Sequence, residues 1–169
     1  MPGWIIHNKW AQRMEISKEV SEYINRAIDN VNMPEDFREY IEKRRIPRSR
    51  GGNISIMDAV SLQGRSLHDL GRGDKEKVKF IKEPILLFLS RKGKDYVKVW
   101  YLHFILDYLN SKQLRDWMKN TGESIEDCIN KYQKNKAVTV SGTEEQLIEV
   151  MNFLKGNIHE LQEDLNLPK

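Results

Sequence analysis

The chain has 169 residues, 39% of them hydrophobic and 31% charged, which suits one domain with a core beneath a well-solvated surface. A formal net charge of only +3 excludes a general polyanion binder, so any basic site must come from local clustering of lysine and arginine. The single cysteine, Cys128, excludes an intramolecular disulfide and a cysteine-based zinc finger.

Helical periodicity begins near the N-terminus. WIIHNKWAQRM predicts an early helix in which His7 projects beside an apolar stripe. A second helix follows Ser17, a plausible N-cap, and a third starts at Pro34 and ends in basic residues, as the helix dipole favours. The segment 46–53 is interpreted as a loop because of its proline and paired glycines. The next helix is expected to run from about Ser55 or Asp58 into SLHD, where GRGD ends it.

The middle of the chain contains the most apolar helix. Pro84 is expected to restart a helix that Gly93 ends. In the following segment, 99–109, every residue is apolar or aromatic except His103 and Asp107. A helix that is apolar on almost all sides is typically the buried central helix of its domain.

The C-terminal third is also helical in pattern. AVTVSG is its one strand-like piece, and Thr143 is the predicted N-cap of the long helix that follows. The four tryptophans of the chain lie in helical stripes and are interpreted as core residues. The sequence therefore predicts an all-α bundle with a C-terminal helical extension.

His103 and Asp107 are costly residues to place in a buried helix, because an unpaired ionised carboxylate in an apolar setting costs several kcal/mol. Their four-residue spacing puts both side chains on one face, one turn apart. A shared cation would satisfy both. The alternative is a buried hydrogen bond between them that stabilises the core, and the pair taken alone favours this alternative.

The doublet His68-Asp69 precedes Gly71, where the helix is expected to end. Adjacent residues on a regular helix point about 100° apart, so they bind one ion most easily where the backbone relaxes. Imidazole and carboxylate together suit a transition metal such as Mn, Fe, Co, Ni or Zn. The doublet is equally explained as a helix-end histidine and a capping aspartate without chemistry. His7 is a further candidate ligand, since the chain has only four histidines. Taken alone, it is equally explained as a half-exposed histidine near the N-terminus of its helix.

Three features together resemble the HD-domain metal-dependent phosphohydrolase superfamily: HNKWAQRM near the start, LHDLGR after a helix, and an aspartate in a later helix. Members of that family share an all-helical fold whose metal site follows the pattern His, His-Asp, Asp. The resemblance implies that His7, His68, Asp69 and Asp107 bind one divalent transition metal ion. His103 is expected to support these ligands without binding the metal itself.

The resemblance covers about residues 1–110, which it implies are an HD-like metal-binding helical core. Residues 111–169 would then be C-terminal helices packed on the same domain. The implied activity is hydrolysis of a nucleotide or another small phosphate ester. Asp69 would hold the metal and help to deprotonate the attacking water, and Arg72 would stabilise charge on the phosphoryl group.

Other cations lie upstream of the doublet and beside it, and arginine pairs well with phosphate oxygens. The remaining phosphate-binding candidates are Arg48, Arg50, Arg65 and Lys75. The same basic segment, RRIPRSRGG, supports a second hypothesis: a helical nucleic-acid-binding or adaptor domain that uses the loop 44–50. The small net charge weighs against it, and a solvated basic loop would explain the arginines as well. A third hypothesis keeps the metal site for structure alone.

The compartment is predicted from cysteine content and hydropathy. One cysteine fits a reducing environment, and no apolar run is long enough to cross a bilayer. The N-terminus has no signal-peptide pattern. The sequence therefore predicts a cytoplasmic protein with a small phosphorylated substrate and no membrane partner.

Overall fold

In a computed structural model the chain folds into helices and one small β-hairpin, which confirms the predicted all-α class. The structure describes residues 3–48, 51–62, 67–68, 75–135 and 139–167, without the side chains of residues 62 and 75–79. The helices are α1 (Trp4–Arg13), α2 (Lys18–Asp29), α3 (Glu35–Lys43), α4 (Ile56–Leu62), α5 (Lys75–Lys92), α6 (Lys94–Leu109), α7 (Lys112–Thr121), α8 (Ile125–Lys134), α9 (Glu144–Gly156) and α10 (Ile158–Leu165). The strands are β1 (Arg45–Pro47) and β2 (Asn53–Ser55).

Helix α6 is the centre of the bundle. It packs against α1, α2, α5, α7, α8 and α9, and its residues 97–109 are all buried or half-buried. The predicted central helix is therefore confirmed: a helix with apolar side chains on every face is stable only when other helices surround it. Although α6 is so apolar, none of the helices in the described part of the chain has the length and hydropathy needed to span a bilayer.

The segment predicted as a loop forms the β-hairpin instead. Ile46 of β1 pairs with Ile54 of β2 in antiparallel register, and buried Ile46 anchors the hairpin to the core. The turn uses Gly51 and Gly52 at φ 84° and 76°, a left-handed conformation that glycine adopts without steric cost. The strand-like AVTVSG does not form a strand in its described part, residues 139–142. Whether each of these two segments forms a strand depends on backbone hydrogen bonds to a neighbouring segment, which the local composition does not specify.

Pro84 lies inside α5 and does not restart a helix there. Proline removes one helical hydrogen bond, so it is costly in a helix interior. The flanking residues Ile81, Ile85 and Leu86 are buried, and the hydroxyl of Tyr40 donates a hydrogen bond to the Pro84 carbonyl at 2.7 Å. We infer that this packing outweighs the local preference of proline for a helix start.

The C-terminal helices return to the N-terminal one. Asp164 of α10 accepts hydrogen bonds from Lys9 Nζ at 2.7 Å and from Trp10 Nε1 at 3.0 Å. Arg13 Nη2 donates to Asn157 Oδ1, between α9 and α10, at 2.9 Å. These contacts fix α1, the helix that contains His7, against the end of the chain.

Candidate metal centre

Helix α1 places His7 in the interior of the protein. Its side chain is only 2% exposed, and it lies on the same face as Trp10 and Ala11, which are fully buried. Spacings of three and four residues put side chains on one face of a helix, so the packing of this face also buries the imidazole. Neither ring nitrogen of His7 has a hydrogen-bond partner among the described residues. Buried polar groups are normally paired, so the two nitrogens of His7 are candidates for binding a further partner.

Helix α6 contributes His103 and Asp107 from adjacent turns. Their side chains are 1% and 7% exposed, and His103 Nε2 lies 3.4 Å from Asp107 Oδ2. The sequence predicts this pairing on one face of the helix, and the structure brings the two groups together. The contact alone does not satisfy them: His103 Nε2 and Asp107 Oδ1 have no hydrogen-bond partner within the described part of the chain.

His68 approaches the same carboxylate from a separate segment. It lies in a short turn at residues 67–68, beyond α4, where buried Leu67 anchors the backbone. His68 Nε2 is 2.6 Å from Asp107 Oδ2. An ionised carboxylate can only accept, so Nε2 of His68 donates this hydrogen bond.

The three segments meet at Asp107. His7 Nε2 is 3.4 Å from Asp107 Oδ1, and the rings of His7 and His103 are 4.1 Å apart between centroids. One ligand atom each from His7, His103 and Asp107 can be chosen so that all three lie within 4.8 Å of one another. We call these four residues, His7, His68, His103 and Asp107, the histidine cluster.

A chain of hydrogen bonds on the far side of His103 determines its tautomer. Asn25 Oδ1 lies 2.9 Å from His103 Nδ1, and an amide oxygen can only accept. Asn25 is held in turn by Asn8 Oδ1, which accepts from Asn25 Nδ2 at 3.0 Å and from Ser21 Oγ at 2.6 Å. His103 therefore carries its proton on Nδ1 and directs the lone pair of Nε2 toward Asp107.

Asp29, at the end of α2, adds a second carboxylate beside His103. Trp4 Nε1 donates to Asp29 Oδ2 at 2.5 Å, while Asp29 Oδ1 is 3.7 Å from His103 Nε2. Asp29, His68 and His103 also present ligand atoms that lie within 4.8 Å of one another. The lone pair on Nε2 thus faces two carboxylate groups, which is repulsive unless a cation or a proton lies between them.

The electrostatics around His103 and Asp107 favour a neutral imidazole beside an ionised carboxylate. Burial lowers the pKa of His103, an effect that outweighs the opposing influence of Asp107. Burial raises the pKa of Asp107, but its histidine neighbours, with His68 as the hydrogen-bond donor, outweigh this effect and hold that pKa well below its usual range. Neutral imidazole and ionised carboxylate are the protonation states in which these side chains bind metal ions.

The donor set fits a divalent cation. Two ligand atoms about 2.1 Å from one tetrahedral ion lie about 3.4 Å apart. The contacts of Asp107 with His7 Nε2 and His103 Nε2 are both 3.4 Å long. The 2.6 Å contact with His68 has hydrogen-bond length, so His68 and Asp107 would have to separate to share an ion through these two atoms. The unpartnered nitrogens of His7 and His103 are the atoms that a cation would satisfy.

The sequence-predicted ligands divide into two groups. His7, His68 and Asp107 lie together, and His103 offers a ligand atom of its own where the sequence predicts a supporting role. Asp69, the fourth predicted ligand, lies outside the described residues, so its role stays a prediction.

Most of the predicted phosphate-binding side chains also lie outside the residues that the structure describes. Arg50, Arg65 and Arg72 belong to residues the structure does not describe, as does the side chain of Lys75. Arg48 is described and is exposed directly after β1. Nothing in the structure tests its proposed contact with phosphate.

Sequence reasoning missed Asn25 and Asp29. Both lie on α2 in a polar row at four-residue spacing, Ser21, Asn25 and Asp29, beside an apolar row that contains Ile24 and Ile28. A polar row so close to the buried stripe is the sequence signal that could have indicated Asn25 and Asp29 as partly buried polar residues. The pattern could not show which buried group the row would contact, because that group lies 78 residues further along the chain.

A pocket of about 510 Å³ opens onto the histidine cluster. His68 and Asp107 line it together with residues of α6, α7 and α8. Trp117 is one of its walls and is 51% exposed, so the interpretation of all four tryptophans as core residues is wrong for this one. Trp10 and Trp100 are buried as expected.

Comparison of the chain with known proteins finds no matching family model, no matching curated protein and no matching solved structure. The resemblance to the HD-domain superfamily therefore stays a prediction from sequence motifs. The functional argument rests on the histidine cluster and its pocket.

Proposed function

We propose that the chain is a metal-dependent phosphohydrolase that acts on a nucleotide or another small phosphate ester. The observation that carries the proposal is the meeting of His7, His68 and Asp107, from three separate segments, at one buried carboxylate. A hydrogen bond between His103 and Asp107 within the core would explain those two residues alone. It would not explain two further histidines on the same carboxylate.

The proposed cofactor is one divalent transition metal ion (Mn, Fe, Co, Ni or Zn), since imidazole and carboxylate ligands suit these metals. His7, His68, His103 and Asp107 would hold it, with Asp69 as the ligand expected from the sequence motif. When bound, such an ion would act as a Lewis acid: it would lower the pKa of a bound water molecule and polarise a phosphoryl oxygen.

The chain's own residues would do the remaining work. Asn25 orients His103 through Nδ1, and partner groups of this kind fix the tautomer of a ligating histidine. The pocket beside His68 and Asp107 gives a substrate access to an otherwise buried cluster. Asp69 is proposed to accept a proton from the attacking water, and Arg72 to stabilise charge on the phosphoryl oxygens. A cytoplasmic location, expected from the single cysteine, belongs to the same proposal.

The test compares the histidines of this chain with one another. His7→Ala and His68→Ala are each measured for metal content after purification and for hydrolysis of nucleotides and simple phosphomonoesters with Mn, Fe, Co, Ni and Zn. His159→Ala is the matched control, because His159 is an exposed histidine on α10. We expect both cluster variants to lose bound metal and hydrolysis while the control retains both.

Two results would contradict the proposal. If wild-type protein binds none of the five metals, the cluster is a polar core network. If metal is bound and chelation lowers the thermal stability without any detectable turnover, the ion is structural, as in the third hypothesis.

The alternative function retains one supporting observation. Arg44, Arg45 and Arg48 are exposed at the start of the β-hairpin, where they could contact a polyanion. Binding to RNA or DNA that weakens with salt and is lost in Arg48→Ala would favour a nucleic-acid-binding domain. Absence of binding at low salt would eliminate it.

A further inference from the structure

The pocket has a buried end and an open end. Its buried end contains Asp107, which is 7% exposed, and its open end contains Trp117, which is 51% exposed. A volume of about 510 Å³ falls in the range of small-molecule sites, about 300–1,000 Å³. A ligand with one end at the histidine cluster therefore has room for a substantial second part near Trp117.

Aromatic rings from three helices line this pocket. Phe104 and Tyr108 come from α6, Trp117 from α7 and Tyr132 from α8. Tyr108 and Tyr132 are in ring contact, with centroids 5.0 Å apart. Phe104 is buried beside His68 and His103. The flat apolar faces on which a planar ring can stack are therefore those of Tyr108, Tyr132 and Trp117.

Trp117 is held in place although it is not buried. Its Nε1 donates to Glu123 Oε2 at 2.9 Å, and Lys131 Nζ lies 5.7 Å from the ring centroid. The buried neighbours on α7, Leu114 and Met118, already attach the helix to the core without it. A half-exposed indole held by two side chains is therefore positioned at low entropic cost for contact with a ligand.

Polar groups at the start of α7 complete the pocket. Gln113 and Ser111 line it, and a glutamine amide offers two donors and an acceptor on one planar group. Such a group matches the hydrogen-bonding edge of a heteroaromatic ring. An alkyl chain would make no hydrogen bond with this amide.

We infer that the aromatic end of this pocket binds the base of a nucleotide, whose phosphate then lies at the histidine cluster. The inference rests on the proposed function for the position of the phosphate, but base stacking requires no metal. It narrows the proposed substrates from small phosphate esters in general to nucleotides. Gln113 and the aromatic walls would discriminate the nucleotide from its sugar phosphate.

The experiment measures binding to the full chain in the presence of a chelator, so that neither metal nor turnover contributes. The probes are the four common ribonucleoside monophosphates, ribose 5-phosphate and butyl phosphate. We expect at least one nucleotide to bind more tightly than ribose 5-phosphate by about tenfold or more, from stacking of its base.

Three variants test the position of the base. Trp117→Ala should weaken nucleotide binding by about fivefold to about 150-fold, the loss that corresponds to one stacking contact. Trp117→Phe keeps a ring and should retain most of the affinity. Phe80→Ala is the matched control, because Phe80 is 52% exposed on α5 and is not among the described residues of the pocket.

The outcomes separate this inference from the proposed function. Equal binding of nucleotides and ribose 5-phosphate, unchanged by Trp117→Ala, would overturn the base site even if the protein hydrolyses phosphate esters. Tighter binding of butyl phosphate than of any nucleotide would overturn it in favour of an alkyl ligand. Base-dependent binding lost in Trp117→Ala would support it even if no hydrolysis is found.

Discussion

Asn25 shows how one buried amide can prepare a histidine for metal binding. Its oxygen holds the Nδ1 proton of His103, so the opposite nitrogen presents its lone pair to Asp107. The same amide is fully buried and is itself held by Asn8. Few arrangements of the ring satisfy all these contacts, so His103 has a defined tautomer before any ion binds.

This leads to a prediction for Asn25→Leu, which keeps the volume but removes the acceptor. We expect the affinity for Zn²⁺ or Mn²⁺, measured by calorimetry, to fall by about 10–100-fold, because His103 loses its orientation. Asn25→Asp keeps an acceptor for Nδ1 and should lose less. Equal metal affinities for wild type and Asn25→Leu would show that Asn25 has no role in orienting His103 for metal binding.

Lys82 allows a prediction about pH. It is buried on α5 near Phe104, and burial lowers its pKa from 10.5 to about 8. Between these two values the unfolded chain carries the lysine proton more often than the folded protein does. The unfolding free energy should therefore rise with pH across this window.

The measurement compares wild type with Lys82→Met in urea unfolding at pH 8 and pH 10.5. Wild type should gain about 2–3 kcal/mol relative to the variant between the two pH values. The tyrosines titrate in both proteins, so their contribution cancels in the difference between the two unfolding free energies. A difference that stays constant with pH would show that burial does not lower the pKa of Lys82.

At the scale of elements, α1 is held in place by the C-terminal helix as well as by its own apolar face. Asp164 of α10 accepts hydrogen bonds from two residues of α1, Lys9 and Trp10. Trp10 is fully buried, so Asp164 satisfies an indole N–H that has little access to water. The position of His7 in the cluster therefore depends partly on residues near the end of the chain.

Replacing Asp164 by alanine should accordingly destabilise the protein. We expect the unfolding free energy to fall by about 1–3 kcal/mol, because the buried indole N–H loses its acceptor. Glu163→Ala is the neighbouring control: Glu163 is exposed and its carboxylate contacts the exposed His159, so the loss of unfolding free energy should stay within about 0.5 kcal/mol. Denaturant unfolding measures both, and equal effects would contradict the role of this contact.

At the scale of the whole molecule, a cation in the histidine cluster would join separate parts of the chain. It would connect α1, the turn at residues 67–68 and α6, which otherwise meet through packing and the contacts around Asp107. Ligands that bind only the folded state stabilise it according to their concentration and affinity. Metal binding should therefore be visible in global unfolding as well as in activity.

We expect the melting temperature to rise with cation concentration. At a free concentration about 100 times Kd, the gain is about 2.7 kcal/mol, or about 5–10 °C for a chain of this size. The shift should disappear in Asp107→Asn, which keeps the shape of the side chain but removes its charge, and it should persist in His159→Ala. An undiminished shift in Asp107→Asn would place the ion elsewhere.

Local sequence rules were sufficient wherever a residue acts on its own helix. Ser17 was predicted as an N-cap, and its hydroxyl accepts from the Val20 amide at 3.4 Å. Thr143 was also predicted as an N-cap, and α9 does begin after it, but no side-chain cap forms. Its hydroxyl bonds instead to the Tyr101 hydroxyl and the Val140 carbonyl. The hydrogen bond with Tyr101, 42 residues away in the chain, takes the place of a bond from the Thr143 hydroxyl to the backbone of α9.

The sequence by itself determined the all-α class, the apolar central helix around residues 99–109 and the residue types available for a metal site. These follow from helical periodicity and from the scarcity of histidine. It also brought His7, His68 and Asp107 under consideration through motif resemblance. Only the tertiary structure decided that Asn25 and Asp29 lie beside His103, that Pro84 remains inside a helix and that Trp117 faces a pocket. Each of these depends on contacts between residues far apart in the chain, and helical periodicity specifies which face is buried but not which helix covers it.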